Sequence, residues 1–509
     1  SSDGRIWFSW TVNDYLYVNY SDDRGGTYSQ PINVNKVPEK IAARGEKRPK
    51  IAVDSAGNVY VSWIKKLPQK WTSDIRFSWL KVGEKTFSSP ITVNDDSKPA
   101  GHSFNEMIVS DAGEVTIVWL DSRHSRIAKK RGESYVGSSI YWATIPHSTL
   151  NLLSSGENTT IKNTPYVNGN CVCCRLALTS IDTIAGKLEP IVMWRHIFGD
   201  NIRDHALGVL GKPLQRVSFE QWKVDGCPHH GPSISVQNNS TQNKRIHMSW
   251  FNDAPNASGL FYSYTDDLGK TVSPAFHFAK RAGSPGHPSL ITGGDGKLKL
   301  AWLTFDGEQS SINIMTSTRG DKWSNSRVVA RFSGKTDYPF LLPHPDGDLL
   351  LWHKPGHTLT LYDLSQYGKA QSTDKTTNKL TVEKVAEVFQ EQNRLIMLWS
   401  VDCPPCYQEL AMLKRLLSSY PSLPITLIST DDDSERYEEV EEQYNGLNGN
   451  KLMTWVFEES MAPQLRYAID KTWSGVLPRS YIVKAESRVG HSGVLKEKDI
   501  RQLFKLPES

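Results

Sequence analysis

One unit recurs along most of this chain: an apolar strand, a turn carrying Asp or Gly, and an alternating strand that closes on tryptophan. It is clearest in RPKIAVDSAGNVYVSW, ending at Trp63. It returns as FNEMIVSDAGEVTIVW to Trp119, RLALTSIDTIAGKLEPIVMW to Trp194, PSISVQNNSTQNKRIHMSW to Trp250, PSLITGGDGKLKLAW to Trp302 and PFLLPHPDGDLLLW to Trp352. DGRIWFSW, ending at Trp10, is the same unit without its first strand. Successive tryptophans stand 50 to 56 residues apart, except for a step of 75 from Trp119 to Trp194 that marks an insertion. This is the length of a four-stranded blade with its loops, and such a repeat buries its apolar faces only by stacking on its neighbours. A further strand such as DIRFSWLKV and an edge strand such as FSSPITVN follow each Trp, so each unit reads as strands A to D. The pattern predicts an all-β propeller over residues 1–364. Seven units predict seven blades. The first lacks strand A and the last lacks a clear strand D, so the ring has six blades if these two complete one another.

Composition closes off other classes. A net charge of +4 over 509 residues leaves no basic stripe for nucleic acid. No run of 18 apolar residues marks a transmembrane span, and no signal peptide is legible. Sixteen Trp, nineteen Tyr and 36 Gly suit many short strands joined by tight turns.

The turns between strands C and D carry a further signal. Ser21 to Tyr28 (SDDRGGTY) and Thr265 to Val272 (TDDLGKTV) follow S/T-x-D-x-G-x-T-aromatic or apolar, and Thr316 to Trp323 (TSTRGDKW) follows it with Thr318 in the Asp place. In these turns a carboxylate and a hydroxyl satisfy backbone N–H groups of a tight hairpin. The motif resembles the Asp-box (BNR repeat) of sialidase-like propellers, a likeness of fold that implies no activity.

Residues 365–380, SQYGKAQSTDKTTNKL, are polar and aperiodic and read as a linker. Helix and buried strand then alternate over residues 381–509, which predicts a second, α/β domain. Its motif is Trp399-Ser400-Val401-Asp402-Cys403-Pro404-Pro405-Cys406, between a buried strand and a helix. A thiol at a helix N-terminus is favoured as thiolate, making Cys403 the nucleophile and Cys406 the resolving thiol. Gly475 to Ser480 (GVLPRS) precedes the strand YIVK and looks like the loop whose proline, here Pro478, faces the active pair in thioredoxin-like proteins. With these parts in order, residues 381–509 resemble thioredoxin-like domains of the extracytoplasmic thiol–disulfide oxidoreductase type. The Pro-Pro dipeptide departs from cytosolic thioredoxins, so the direction of electron flow is not carried over. An inert disulfide or a pair of metal ligands is the plainer reading of the same cysteines.

In a blade, the residues before strand A and those between strands B and C open on one face around the axis. The first set gives Arg48, His102, Cys171 to Arg175, Cys227, His229, His230, His287, Asp337 and Tyr338; the second gives Asp121, Arg123, His124, Arg195, His196, Asp204, His205, Asn252, Asp253, His353 and His357. Taken singly, His102, His124 and His287 read as ordinary surface imidazoles. Cys171, Cys173 and Cys174 fall on a loop adjacent to that of Cys227, His229 and His230, and thiolates with imidazoles suit copper, or less well zinc. His196 and His205 are further candidate ligands. A disulfide from Cys227 to one of the clustered cysteines, or one that interconverts with a metal site, is the competing expectation.

The sialidase likeness raises a glycoside hydrolase reading, with Arg48, Arg175 and Arg195 as candidate arginines and Tyr338 or Asp121 recruited. The F/Y-R-I-P signature is absent, and Cys and His stand where a sugar pocket is expected. A non-catalytic propeller binding protein or glycan and carrying a redox domain is another class. The joint expectation is a thiol–disulfide oxidoreductase acting outside the cytoplasm, in a Gram-negative periplasm. Its protein substrate is either the propeller's own metal-binding thiols or those of another cysteine-containing protein.

Overall fold

The computed structural model describes residues 3–507 except 44, 158, 183–187, 239–243, 281–283, 355–358, 366–377, 391–392, 433–436, 446, 448–450, 459 and 485–486. The chain divides into two compact units, Ser1–Gly368 and Lys369–Ser509.

The first unit is a seven-bladed propeller of successive antiparallel sheets. The fifth blade is typical, with strands Ser233–Asn238, Lys244–Ala254, Ala257–Thr265 and Phe276–Lys280 pairing in chain order. In blades three to seven the closing tryptophan lies on the second strand, whereas Trp10 lies on the first strand of its sheet and Trp63 on Val59–Lys66; Trp63, Trp119, Trp250 and Trp352 are fully buried. Both faces of these strands are covered because successive side chains point to opposite sides and each blade has two neighbours. Val59, Val61 and Trp63 pack with Leu16 and Val18 of the blade before, whereas Tyr60 and Ile64 pack with Ile117 and Trp119 of the blade after. The 75-residue step holds two helices, Arg123–Arg131 and His147–Ser154, flanking the strand Ser139–Ile145.

The two incomplete units do not merge into one blade. Ile6–Val12, Tyr15–Ser21 and Ile32–Asn33 form one three-stranded sheet, and Phe340–Leu342, Leu349–Trp352 and Thr360–Asp363 form another. Side chains bridge the seam. Arg24 pairs with Asp363 at 2.8 Å and donates to the Gly347 carbonyl at 2.9 Å, and His344 Nε2 lies 2.8 Å from the Gly4 carbonyl.

Lys50–Val53 of blade two and the first strands of blades three to seven surround the axis and line a cavity of about 440 Å³, with Ile51, Met107, Leu178, Ile234, Leu290 and Leu341 among its walls. Blade two departs from the repeat here. Ile41–Ala42 and Lys50–Val53 both pair with Val59–Lys66, and a 3-10 turn at Gly45–Lys47 stands between them. This interruption lifts Glu46 into the mouth of the channel.

The second unit is a six-stranded mixed sheet with helices. The strands run in the order Asn378–Leu380, Met453–Phe457, Ile425–Ser429, Arg394–Trp399, Arg479–Lys484 and Ser487–Ser492; the first four are parallel and the last two antiparallel to their neighbours. Asn378–Leu380, within the stretch read as linker, is thus an edge strand of this sheet; residues 366–377 of that stretch lie outside the described residues. Arg394–Trp399 is buried throughout, as befits a strand covered on both faces. Among the described residues no helix is long and apolar enough to cross a membrane.

Candidate metal centre

The loop before the first strand of blade four turns three cysteines inward. Cys171 Sγ lies 3.5 Å from Cys173 Sγ and 3.6 Å from Cys174 Sγ, and all three residues are buried. The loop before blade five brings up Cys227 and His229, whose ligand atoms and that of Cys173 lie within 4.8 Å of one another, as do the three clustered sulfurs. Cys227 and His229 are exposed. None of these four cysteines is in a disulfide. Five of the residues singled out in the sequence therefore form one continuous donor set pivoting on Cys173, and these groups could bind a metal ion.

Positive charge surrounds it. Arg203 Nη1 donates to Cys171 Sγ at 3.4 Å. Arg195 is 2% exposed and donates to the carbonyls of Arg203, His230 and Phe251, with its guanidinium 4.9 Å from the Trp222 ring. Among the described residues no carboxylate pairs with it. Hydrogen bonds from Cys173 and Cys174, aided by Arg195, hold the Cys171 thiol well below the usual cysteine range. Sharing protons with Cys171 pushes the Cys173 and Cys174 thiols up.

The other three histidines take different places. His196 lies between Asn170 and the Trp194 indole through Nδ1, and burial lowers it to about 4. His205 is buried beside Ser218 and Trp250, where burial and Arg195 keep it neutral. His230 stacks on Phe251 at 4.0 Å and on His287 at 4.5 Å, and burial lowers it to about 3. None of the three belongs to the two ligand groups.

This ring stack continues along the mouth, with His287 on Tyr338 at 3.5 Å and Arg48 over Tyr338. Glu46, passed over in the sequence, joins the loops across the axis: it accepts from the Gly231 N–H at 2.9 Å and the Arg175 N–H at 3.1 Å, and pairs with Arg175 at 3.3 Å and His287 at 3.4 Å. Burial works to raise its carboxyl, but His287, Arg175 and the Gly231 N–H hold it down to about 2. The positional rule that selected Arg48, residues just before a first strand, also covers Glu46.

His102 and His124 are not surface imidazoles. His102 is 1% exposed, with Nε2 3.1 Å from Asp96 and 3.4 Å from Asp121, in a network with Arg123. His124 is half-buried and lies 3.0 Å from the Tyr141 hydroxyl. His287 is likewise enclosed at the mouth. His357 lies outside the described residues.

In the second unit Cys403 and Cys406 form a disulfide at the start of the helix Pro404–Ser419. Cys403 caps that helix, its sulfur accepting from the Cys406 N–H at 3.3 Å, and Pro404 and Pro405 fill the first positions, where a missing N–H costs nothing. Asp431 holds the preceding loop by accepting from the Ser400 hydroxyl at 2.8 Å and the Val401 N–H at 3.1 Å. The Leu477–Pro478 bond is cis. Arg479 pairs with Leu398, so Pro478 enters the sheet beside the strand that leads to Cys403. Glu409 lies one turn beyond Cys406 and belongs to no motif in the sequence. It is fully buried, accepting from the Ser480 hydroxyl at 2.9 Å and the Leu495 N–H at 3.0 Å, and burial raises its carboxyl.

No family model and no curated protein matches the chain. Solved structures similar to it include a polysaccharide lyase of family PL25, an ulvan lyase (7% identity, 71% of this chain and 90% of that one, TM-score 0.43). An α-L-arabinofuranosidase from Fusarium graminearum is 12% identical over 64% of this chain and 97% of its own, with a TM-score of 0.42. NanB sialidase from Streptococcus pneumoniae is 12% identical over 71% and 65%, with a TM-score of 0.34.

Proposed function

We propose that this chain is an extracytoplasmic thiol–disulfide oxidoreductase whose thioredoxin-like domain is joined to a propeller holding a soft metal, copper in preference to zinc, and that it keeps metal-binding thiols reduced. The observation that carries this reading is the set of four unpaired cysteines and His229 gathered at one mouth beside Arg195 and Arg203. Thiolate donors select soft ions, and buried guanidinium charge is tolerable where anionic sulfur offsets it.

In the reduced second domain the Cys403 thiolate attacks a disulfide sulfur of the substrate and expels one substrate thiolate. Cys406 then attacks Cys403 in the mixed disulfide, releasing the second substrate thiol and closing Cys403–Cys406. Two electrons pass from the dithiol to the substrate, and an external dithiol must restore the pair. Cys403 lies at a helix N-terminus, where unsatisfied N–H groups favour its thiolate. Pro478 shapes the edge along which a peptide is held.

The arginines argue against the glycoside hydrolase reading. Arg48 is paired with Asp337 at 2.6 Å and Arg175 with Glu46, while Arg195 is buried behind the mouth, so they do not form a cluster free to grip a carboxylate. A binding propeller remains the second reading, favoured by the cavity behind His287 and Tyr338.

Elemental analysis and thiol counting on anaerobically purified protein test the proposal. Stoichiometric copper or zinc that is lost in Cys171→Ser is the expected result. Metal-free protein that takes up neither ion would leave the binding propeller as the better account.

A further inference from the structure

The donor set at the propeller mouth is not one four-sulfur cage. The two groups that close within 4.8 Å are distinct triads: Cys171, Cys173 and Cys174, all buried, and Cys173, Cys227 and His229, of which only Cys173 is buried. Cys173 is common to both. A tetrahedral zinc site would draw four donors around one point. Here the buried triad offers three sulfurs, a number that satisfies a monovalent soft ion such as Cu(I).

Charge makes the same selection. Three thiolates with a monovalent ion carry two negative charges, and with a divalent ion only one. Arg203 donates to Cys171 Sγ at 3.4 Å, and the buried Arg195, whose acceptors are backbone carbonyls, donates to the carbonyl of Arg203 itself at 2.9 Å. This positive charge suits the more anionic complex, the one that three thiolates form with a monovalent ion. The exposed triad has one imidazole in place of a thiolate and opens to solvent, as a position that exchanges its ion should.

Resting on the metal reading above, we propose that the mouth is a two-station Cu(I) transfer site: an exposed loading station of Cys173, Cys227 and His229, and a buried holding station of Cys171, Cys173 and Cys174. Cys173 stays bound throughout. The ion passes inward as Cys227 and His229 are exchanged for Cys171 and Cys174, with no change of oxidation state and no free ion released. Its supplier and acceptor are proteins or small thiols that present Cu(I) on one or two sulfurs.

The test uses the full chain, reduced and anaerobic, with Cu(I) competed against a chromogenic Cu(I) chelator, and measures affinity and exchange rate separately. Cys227→Ser and His229→Ala are expected to keep the equilibrium affinity of the wild type while loading and release slow by about an order of magnitude. Cys171→Ser is expected to lose about a hundredfold in affinity. Far-ultraviolet circular dichroism checks each variant, and His229→Ala serves if Cys227→Ser misfolds, because His229 is exposed. Equal loss of affinity in Cys171→Ser and in the exposed-station variants would show a single shared site and overturn the two-station model while leaving the metal reading intact. A wild-type chain that binds no Cu(I) would overturn both.

Discussion

His102 shows at the level of one residue how much a neighbourhood can change. In sequence it is an isolated histidine at the start of a strand, which usually means a solvated imidazole. Folded, it is enclosed between Asp96 and Asp121. Burial alone would lower its pKa, but these two carboxylates raise it to about 9. An imidazole held charged in this way stabilises the fold fully below its unfolded pKa, and the contribution disappears as pH rises through about 9. The expected size is roughly 3 kcal/mol. His102→Gln should therefore destabilise the propeller most at pH 6.5 and below, and its deficit against the wild type should shrink steadily towards pH 9. Chemical denaturation across that range measures it; a deficit independent of pH would mean that the imidazole is not charged in the folded protein. The same lesson holds for Glu46 and Glu409. Their letters gave no hint of burial, because burial depends on which loop or strand closes over them.

At the level of the element, the hairpins show where a motif is reliable and where its spacing misleads. In the first and fifth blades the motif closes as its letters imply: Ser21 and Thr265 accept from the N–H groups of Gly25 and Gly269, and Asp23 and Asp267 accept from Thr27 and Thr271. In the sixth blade the motif aligned Thr316 and Thr318 with those residues. The Gly320 N–H instead donates to Ser317 at 2.8 Å, and Thr318 is exposed. Without a carboxylate the hairpin tightens by one residue and uses the hydroxyl nearest the turn. The Ser317 hydroxyl also donates to the Lys322 carbonyl, so Ser317→Ala should cost about 1–2 kcal/mol in equilibrium unfolding, the worth of two hydrogen bonds, and Thr318→Ala close to nothing. A reversed order would restore the original alignment. Strands were legible because a period of two with a Trp at a fixed interval survives divergence. The extra turn at Gly45–Lys47 and the two helices of the third blade were not, since each breaks the repeat at only one place.

For the whole molecule, the blade count turned on a question the letters left open: whether two partial units share a sheet. They do not, and the seam is closed by Arg24 and His344, which no repeat pattern marks. The largest consequence at this scale is that one chain carries a bridged pair, Cys403–Cys406, and four unpaired propeller thiols. An exchange between them, were it the reaction, would be intramolecular, with an effective concentration set by the segment between the units. If the propeller thiols are the substrate, oxidation should first join Cys173 to Cys227, the pair that meets at the exposed edge of the cluster. Exchange begins at the accessible sulfur, so Cys403 should attack Cys227 and expel Cys173. In Cys406→Ser no resolving thiol exists, and the reaction should stop at a Cys403–Cys227 disulfide. Mild oxidation of the propeller thiols in this variant, followed by alkylation, proteolysis and mass spectrometry, should recover that cross-linked peptide in monomeric protein and in a yield independent of protein concentration. Recovery of Cys403 joined only to small thiols or to other proteins, with Cys173–Cys227 untouched, would make the substrate an external protein and leave the propeller with no part in the exchange.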